Sequence, residues 1–246
     1  MCANQAPSQK YTENRTLVLL PIGSYEQHGP HLPVDTDLRI AQLIAERLLE
    51  TFSIEEAVLL PAIPFSCSWE HKGQGTVALN TSTLSALLYD ITRSLKEWRR
   101  PVFLVLLNWH GGNGTLASLT TEITAREGIP TTVIQALSLV GKIWNANDPI
   151  SFPDIHAGMI ETSIVQAHWP DLVAKLDHLD FAPDTDPADP QSVFQALGIY
   201  AISETGVRGK PQKSDAEKGR MVIDAVVKTI HEQIAKLLQL IERHSI

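Results

Sequence analysis

LVLLPIGSYEQHGPHLPVDTD, residues 17–37, sets the terms for the whole chain. It opens on a short apolar run, LVLLPI with Thr16 leading in, that Gly23 ends. Such a run bounded by a turn residue predicts a buried strand. Residues 38–52 then place apolar side chains at helical spacing, behind Thr36 and Asp37 in capping positions. Between strand and helix the chain packs Glu26, His28, His31, Asp35 and Asp37. In an extended stretch Glu26 and His28 point to the same side, because side chains alternate with period two. Pro30 and Pro33 stiffen the return of the chain toward Asp37.

The same alternation continues downstream. Residues 58–63 predict a strand, 82–98 a helix, and 101–108 (PVFLVLLN) a continuously apolar strand of the central parallel type. A helix over 114–127, a strand over 131–137, and helices over 158–168 and 215–242 follow. Strands alternating with helices predict an α/β layered domain with a mainly parallel sheet, in which ligands gather at the carboxyl ends of the strands. The Pro- and Asp-rich segment 180–191 reads as an exposed loop. With no internal repeat, the expected organisation is a polar leader over 1–15 and one domain over 16–246.

Composition narrows the function. The 246 residues are 43% hydrophobic and 20% charged, with a net charge of -8, so nucleic-acid and anionic-membrane partners are not expected. Cys2 and Cys67 build neither a disulfide framework nor a zinc-type pairing, which fits a reducing, cytoplasmic setting. The leader carries no signal peptide of the usual form, and no apolar run approaches the ~18 residues of a membrane span.

Three segments carry the candidate chemistry. The carboxylates and imidazoles of 23–37 form a donor set suited to divalent metals. Taken one at a time, Asp37 reads as a helix cap and the histidines as solvated loop residues. At NWHGGNG (108–114), His110 stands at the end of the most apolar strand, before a glycine turn. That turn has neither GKS/GKT nor GxGxxG, so it is no phosphate loop, although its N–H groups suit an oxyanion. At DIHAGMIETS (154–163), Glu161 sits among apolar neighbours, where a carboxylate needs a partner, and His156 lies in the approach to the helix. A fourth segment, SCSWEHKGQGT (66–76), reads as a polar loop and a candidate substrate lid carrying Glu70 and His71. There is no nucleophile elbow and no HExxH.

Together these segments resemble the creatininase (creatinine amidohydrolase) family. The resemblance is carried by EQHGPHLPVDTD (26–37), NWHGGN (108–113), HAGMIETS (156–163) and GVRGKPQKSDAEKG (206–219). It implies a three-layer α/β/α sandwich and hydrolysis of a linear or cyclic amide, a carbon–nitrogen bond other than a peptide bond. It implies two divalent ions (Zn, Mn or Fe(II)) on Glu26, His28, Asp37, His110 and Glu161, with Asp37 bridging. His156 matches the family's proton-transfer histidine, and members assemble as homo-oligomers, commonly hexamers. One departure stands out: creatinine-hydrolysing members carry a metal-ligating glutamate two residues after the His of the second motif, where this chain has Gly112. Branches with the HGGN form hydrolyse formamides of pyrimidine intermediates or cut modified peptides.

The expected mechanism is attack of a metal-activated water on the amide of a small-molecule substrate. His156 passes the proton to the leaving nitrogen, Gly111 and Gly112 N–H groups hold the oxyanion, and His31 orients a ligand. A non-catalytic metal- or ligand-binding protein on the same fold is the reading from another class.

Overall fold

Among the described residues four parallel strands form the sheet, in the order β2-β1-β3-β4. The computed structural model describes residues 15–53, 57–98, 101–176 and 189–244. The elements run β1 (Thr16–Ile22), α1 (Thr36–Leu49), β2 (Ala57–Leu59), α2 (Thr81–Lys96), β3 (Val102–Asn108) and α3 (Leu116–Glu127). They continue with β4 (Thr131–Gln135), α4 (Ala136–Asn147), α5 (Met159–His168), α6 (Pro190–Leu197) and α7 (Ala216–Arg243). Residues 1–14 of the expected leader, and residues 180–188 of the expected loop, lie outside the described residues.

β1 and β3 are buried along their whole length, which is why their sequences run apolar instead of alternating. Their side chains still divide by parity. Leu17, Leu19, Phe103 and Val105 pack with α1, α4, α5 and α7, through residues such as Ile44 and Ile230. Val18, Leu20, Leu104 and Leu106 pack with α2 and α3, through residues such as Leu88 and Ile123. Each such Leu or Ile, fully buried, contributes about 1.5–3 kcal/mol before the entropy of ordering is counted. The result is the three-layer α/β/α sandwich expected.

Several expected elements shift. α1 starts at Thr36, so Asp37 lies in its first turn. The strand expected over 58–63 stops at Leu59. Beyond it Leu60 N–H still donates to Leu19 O and Ile63 N–H to Pro21 O, each at 2.9 Å, so the two residues between them, Pro61 and Ala62, break the regular alternation of the ladder. The strand expected over 131–137 ends at Gln135, and α4, not expected, begins at Ala136. α6 was also not expected. Asp189 caps it by accepting from Ser192 N–H at 3.2 Å, with Pro190 in the first turn, so part of the Pro- and Asp-rich signal is a helix start.

α7 fastens the C-terminal half to the centre. Asp215 caps it by accepting from the N–H groups of Glu217 and Lys218, while its own N–H donates to Ser163 Oγ of α5 at 2.9 Å.

Candidate metal centre

β1 and β3 pair in register from Thr16↔Val102 to Ile22↔Asn108, so their carboxyl ends lie side by side. The helices that follow diverge: α1 covers one face of the sheet and α3 the other. The crevice left between the two loops is where open α/β sheets place their ligands. Glu26 and His28 enter it from the β1 loop, Asp37 from the first turn of α1, and His110 from just beyond β3. Glu161 reaches it from the first turn of α5.

All five residues are buried, and Asp37 is the hub. Its Oδ1 lies 3.2 Å from His28 Nε2, and its Oδ2 lies 3.1 Å from His110 Nδ1. Glu26 Oε2 is also 3.1 Å from His110 Nδ1, and Glu161 Oε2 is 3.9 Å from His28 Nε2. Asp37 Oδ2 and Glu26 Oε2 are buried and receive no properly directed hydrogen bond. A buried carboxylate oxygen without a partner is costly. Two of them converging on one imidazole nitrogen suit a cation. The donor set, mixed carboxylate and imidazole, suits a divalent one.

The far nitrogens set the tautomers. His28 Nδ1–H donates to Glu26 O at 3.1 Å, and His110 Nε2–H donates to Cys67 O at 2.8 Å. His156 Nε2–H donates to Gln27 O at 2.7 Å. Each ring thereby turns its other nitrogen inward, the usual bracing of metal-binding histidines. His156 Nδ1 lies 3.7 Å from Glu26 Oε1, and His156 groups as a possible ligand with Glu26 and His71 and, separately, with His28 and Glu161.

Without a cation the cluster holds protons. Burial disfavours charge on His28, but Asp37, Glu161 and Glu26 outweigh it and lift its pKa to about 10. Burial likewise opposes charge on His110, and Glu26, Asp37 and Glu70 still hold it well above the ordinary imidazole value. Burial raises the Glu161 carboxyl to about 7, against the pull of His28. Glu26 goes the other way: burial is overcome by His110, His71 and His156, and its pKa falls well below the carboxylate range. His156, buried beside His71 and His28, falls well below the ordinary value and is neutral at pH 7.

Glu161 is held on both oxygens, by Trp109 Nε1–H at 3.2 Å and Ala157 N–H at 2.6 Å. Ala157 has φ +50°, left-handed backbone that a side chain rarely adopts; it separates His156 from α5. His31 donates from Nε2 to Thr162 Oγ1 at 3.0 Å, one residue beyond Glu161.

Two participants, Trp109 and Gln27, were not singled out by the sequence, and a third, His71, was read as part of a lid loop. Trp109 is fully buried beneath Glu161. Gln27 accepts from Gly29 N–H on Oε1, which points its amide nitrogen at His71 Nδ1, 2.9 Å away. A Cβ on Gly206 would lie 2.2–2.4 Å from that amide, so glycine there makes the seat possible. His71, expected in an open loop, is buried: its Nε2 is 3.5 Å from Glu26 Oε1 and its ring centroid 4.2 Å from that of His156. With Glu70 it belongs to a 3₁₀ turn, Trp69–His71, that walls the site.

A cavity of about 740 Å³ opens over the cluster. Glu26, Asp37, His110, His156 and Glu161 line its base. Trp69, Ile155, Phe194, Leu197 and Tyr200 also line it, with Trp69 54% and Leu197 73% exposed, giving an apolar and aromatic rim. Among the described residues no helix is long and apolar enough to cross a membrane.

A family described as creatininase, creatinine amidohydrolase, matches residues 4–234, a span that includes every side chain of the cluster. The mycofactocin precursor peptide peptidase of Mycolicibacterium smegmatis is 33% identical over 226 residues, covering 89% of this chain and 85% of that protein. The creatinine amidohydrolase of Pseudomonas putida is 26% identical over 242 residues, covering 89% and 88%. A solved structure described as creatininase Mn matches with a TM-score of 0.77 at 25% identity, covering 91% of each chain.

Proposed function

The chain belongs to the creatininase family, and from that premise we propose that it is a divalent-metal-dependent amidohydrolase. It cleaves a carbon–nitrogen bond of a linear or cyclic amide with a pair of ions. The observation that carries this reading is the convergence of Glu26 Oε2 and Asp37 Oδ2, buried and neither receiving a directed hydrogen bond, on His110 Nδ1. Glu26, Asp37 and His110 would hold one ion, and Asp37, His28 and Glu161 the other, with Asp37 shared. When bound, the ions supply the positive charge that acidifies a water and polarises an amide carbonyl.

The chain's own groups do the rest. Gln27 O pins His156 Nε2–H, so the neutral ring accepts a proton at Nδ1 and returns it to the leaving nitrogen. Gly111 and Gly112, both lining the cavity, offer N–H groups to the carbonyl oxygen. The apolar and aromatic rim offers a surface for the rest of a substrate above the buried base.

A peptide-like amide is favoured over a small lactam within this reading. The cavity and its aromatic rim exceed what a small polar ring would fill, and identity is higher to the peptide peptidase than to the creatinine amidohydrolase. A formamide of a pyrimidine intermediate is the remaining family alternative. A single domain over 16–246, a cytoplasmic site of action and a homo-oligomer, commonly a hexamer in the family, complete the proposal. Metal analysis after growth with Zn, Mn and Fe, followed by assays on short peptides, formamides and cyclic amides, tests it. Fewer than one metal per chain sinks the dinuclear centre. Binding across the panel without turnover makes the protein a sensor.

A further inference from the structure

His110 is held by its outer edge. Its Nε2 faces three acceptors from one short segment: Cys67 O at 2.8 Å, Ser68 Oγ at 3.3 Å and Glu70 Oε1 at 3.5 Å. Cys67 O takes the direct hydrogen bond. Glu70 stands at ion-pair distance, with its side chain 22% exposed to the cavity it lines. The segment is itself anchored: Cys67 N–H donates to Asn113 Oδ1 at 3.1 Å, and Ser68 Oγ bonds Ser24 Oγ. It therefore clasps His110 against the glycine turn.

Gly112 closes the clasp. A Cβ there would lie 2.2 Å from Glu70 Oε1, 2.2 Å from Cys67 O and 2.5 Å from His110 Nε2. A side chain at 112 and the present seat of Glu70 exclude each other. Gly112 is thus more than a tight-turn residue: it vacates the volume that the 67–70 segment fills.

We propose that Glu70 is a positioning residue of the metal centre, setting from the Trp69–His71 turn a negative charge behind His110 in the space that Gly112 leaves open. The inference rests on the metal-centre reading above. A carboxylate behind the outer N–H of an imidazole makes the inner nitrogen a stronger donor; losing a hydrogen-bonded outer partner costs about 10–100-fold in metal affinity, and Glu70, at 3.5 Å beside the Cys67 O bond, is expected at the lower end of that range. Glu70 thereby strengthens His110 Nδ1, which lies 3.1 Å from Glu26 Oε2 and Asp37 Oδ2, as a donor to an ion held there. The assignment also turns the expected substrate lid into a wall of the centre.

The test is competition for Zn²⁺ or Mn²⁺ between a chromogenic chelator and four full-length proteins: wild type, Glu70→Gln, Glu70→Ala and Glu70→Asp. Thermal unfolding of each metal-free form is measured in parallel. Both Glu70→Gln and Glu70→Ala are expected to give up one ion at about 10-fold or more lower chelator concentration. Glu70→Asp retains most of the wild-type affinity, because the charge is kept. Their metal-free unfolding temperatures stay near wild type, and cobalt-loaded forms change their visible spectrum in one site only. Glu70→Gln holding both ions like wild type overturns the proposal, since charge would then not matter. So does a fall in metal-free stability that parallels the loss of affinity in all three variants. Wild type failing to bind either ion refutes the metal centre itself, and the inference with it.

Discussion

The backbone oxygen of Gln27 accepts the Nε2–H of His156 at 2.7 Å. That bond fixes which nitrogen of the ring faces the cluster, and Nδ1 points toward Glu26 Oε1. A ring so held can move a proton without being needed to retain a cation. His156→Ala is therefore expected to keep its metal content while losing about 10²–10⁴-fold in kcat. Metal analysis alongside steady-state kinetics checks this; unchanged turnover, or loss of metal, removes the assigned role.

Trp109 makes a second prediction. Its indole is fully buried and donates to Glu161 Oε1 at 3.2 Å. Trp109→Phe keeps an aromatic body but leaves that oxygen without its donor, costing about 1–3 kcal/mol of stability. Urea unfolding of the metal-loaded protein measures it. A change below about 0.5 kcal/mol would mean that Ala157 N–H alone satisfies Glu161.

Protons and cations compete for the cluster. In the metal-free protein His28 titrates near 10 against 6.5 unfolded, and Glu161 near 7 against 4.5. Both folded values are raised, so the folded state binds the extra protons. The stability these groups contribute is complete below the unfolded values. It is lost as pH rises, through 4.5–7 for Glu161 and 6.5–10 for His28. Glu26 is opposite: its lowered value favours folding above the ordinary carboxylate range. Chelated protein should unfold at lower temperature at pH 9 than at pH 7, while ion affinity rises over the same interval with proton release. Calorimetry in buffers of different ionisation enthalpy reads the protons directly, and no buffer dependence would contradict the scheme.

Neighbouring glycines separate turn chemistry from the clasp. A Cβ on Gly111 meets nothing within 4 Å, whereas one on Gly112 runs into Cys67 O, Glu70 and His110. Gly111→Ala is expected to stay within about 0.5 kcal/mol of wild type. Gly112→Ala is expected to lose about 1–3 kcal/mol through overpacking, read as a fall in unfolding midpoint. Equal effects at the two positions would deny the clasp its specificity.

Legibility followed the range of the interactions. Glu26, His28 and Asp37 could be read from local spacing, because a strand end, two prolines and a helix start bring them together within a dozen residues. His110 and Glu161 drew their meaning from the family resemblance, since nothing local tells a ligand from a turn histidine or a first-turn glutamate. Gln27 and Trp109 were invisible, and His71 was read only as part of a lid loop, for a different reason: their partners lie tens of residues away or more. Cys67 contributes a carbonyl oxygen, which no residue identity reveals. Among the elements, TTVIQAL concealed the boundary at Ala136, because an apolar run reads alike whether strand or helix buries it.

The residues around the cavity are drawn from distant stretches, Glu26 and Glu161 being separated by about half the chain. Closing so long a loop is entropically expensive, and the expense recurs whenever α5 lifts away from the sheet. A cation gripped from both ends acts as a tether across that loop, stabilising the docked arrangement by mass action. Metal supply would then govern more than chemistry. In hydrogen exchange, the amides of α5 and of the first turn of α7, which Asp215 ties to Ser163, should open first on chelation, and β1 and β3 last. The centre that breaks a bond in its substrate would also be the latch that keeps the chain's two halves together.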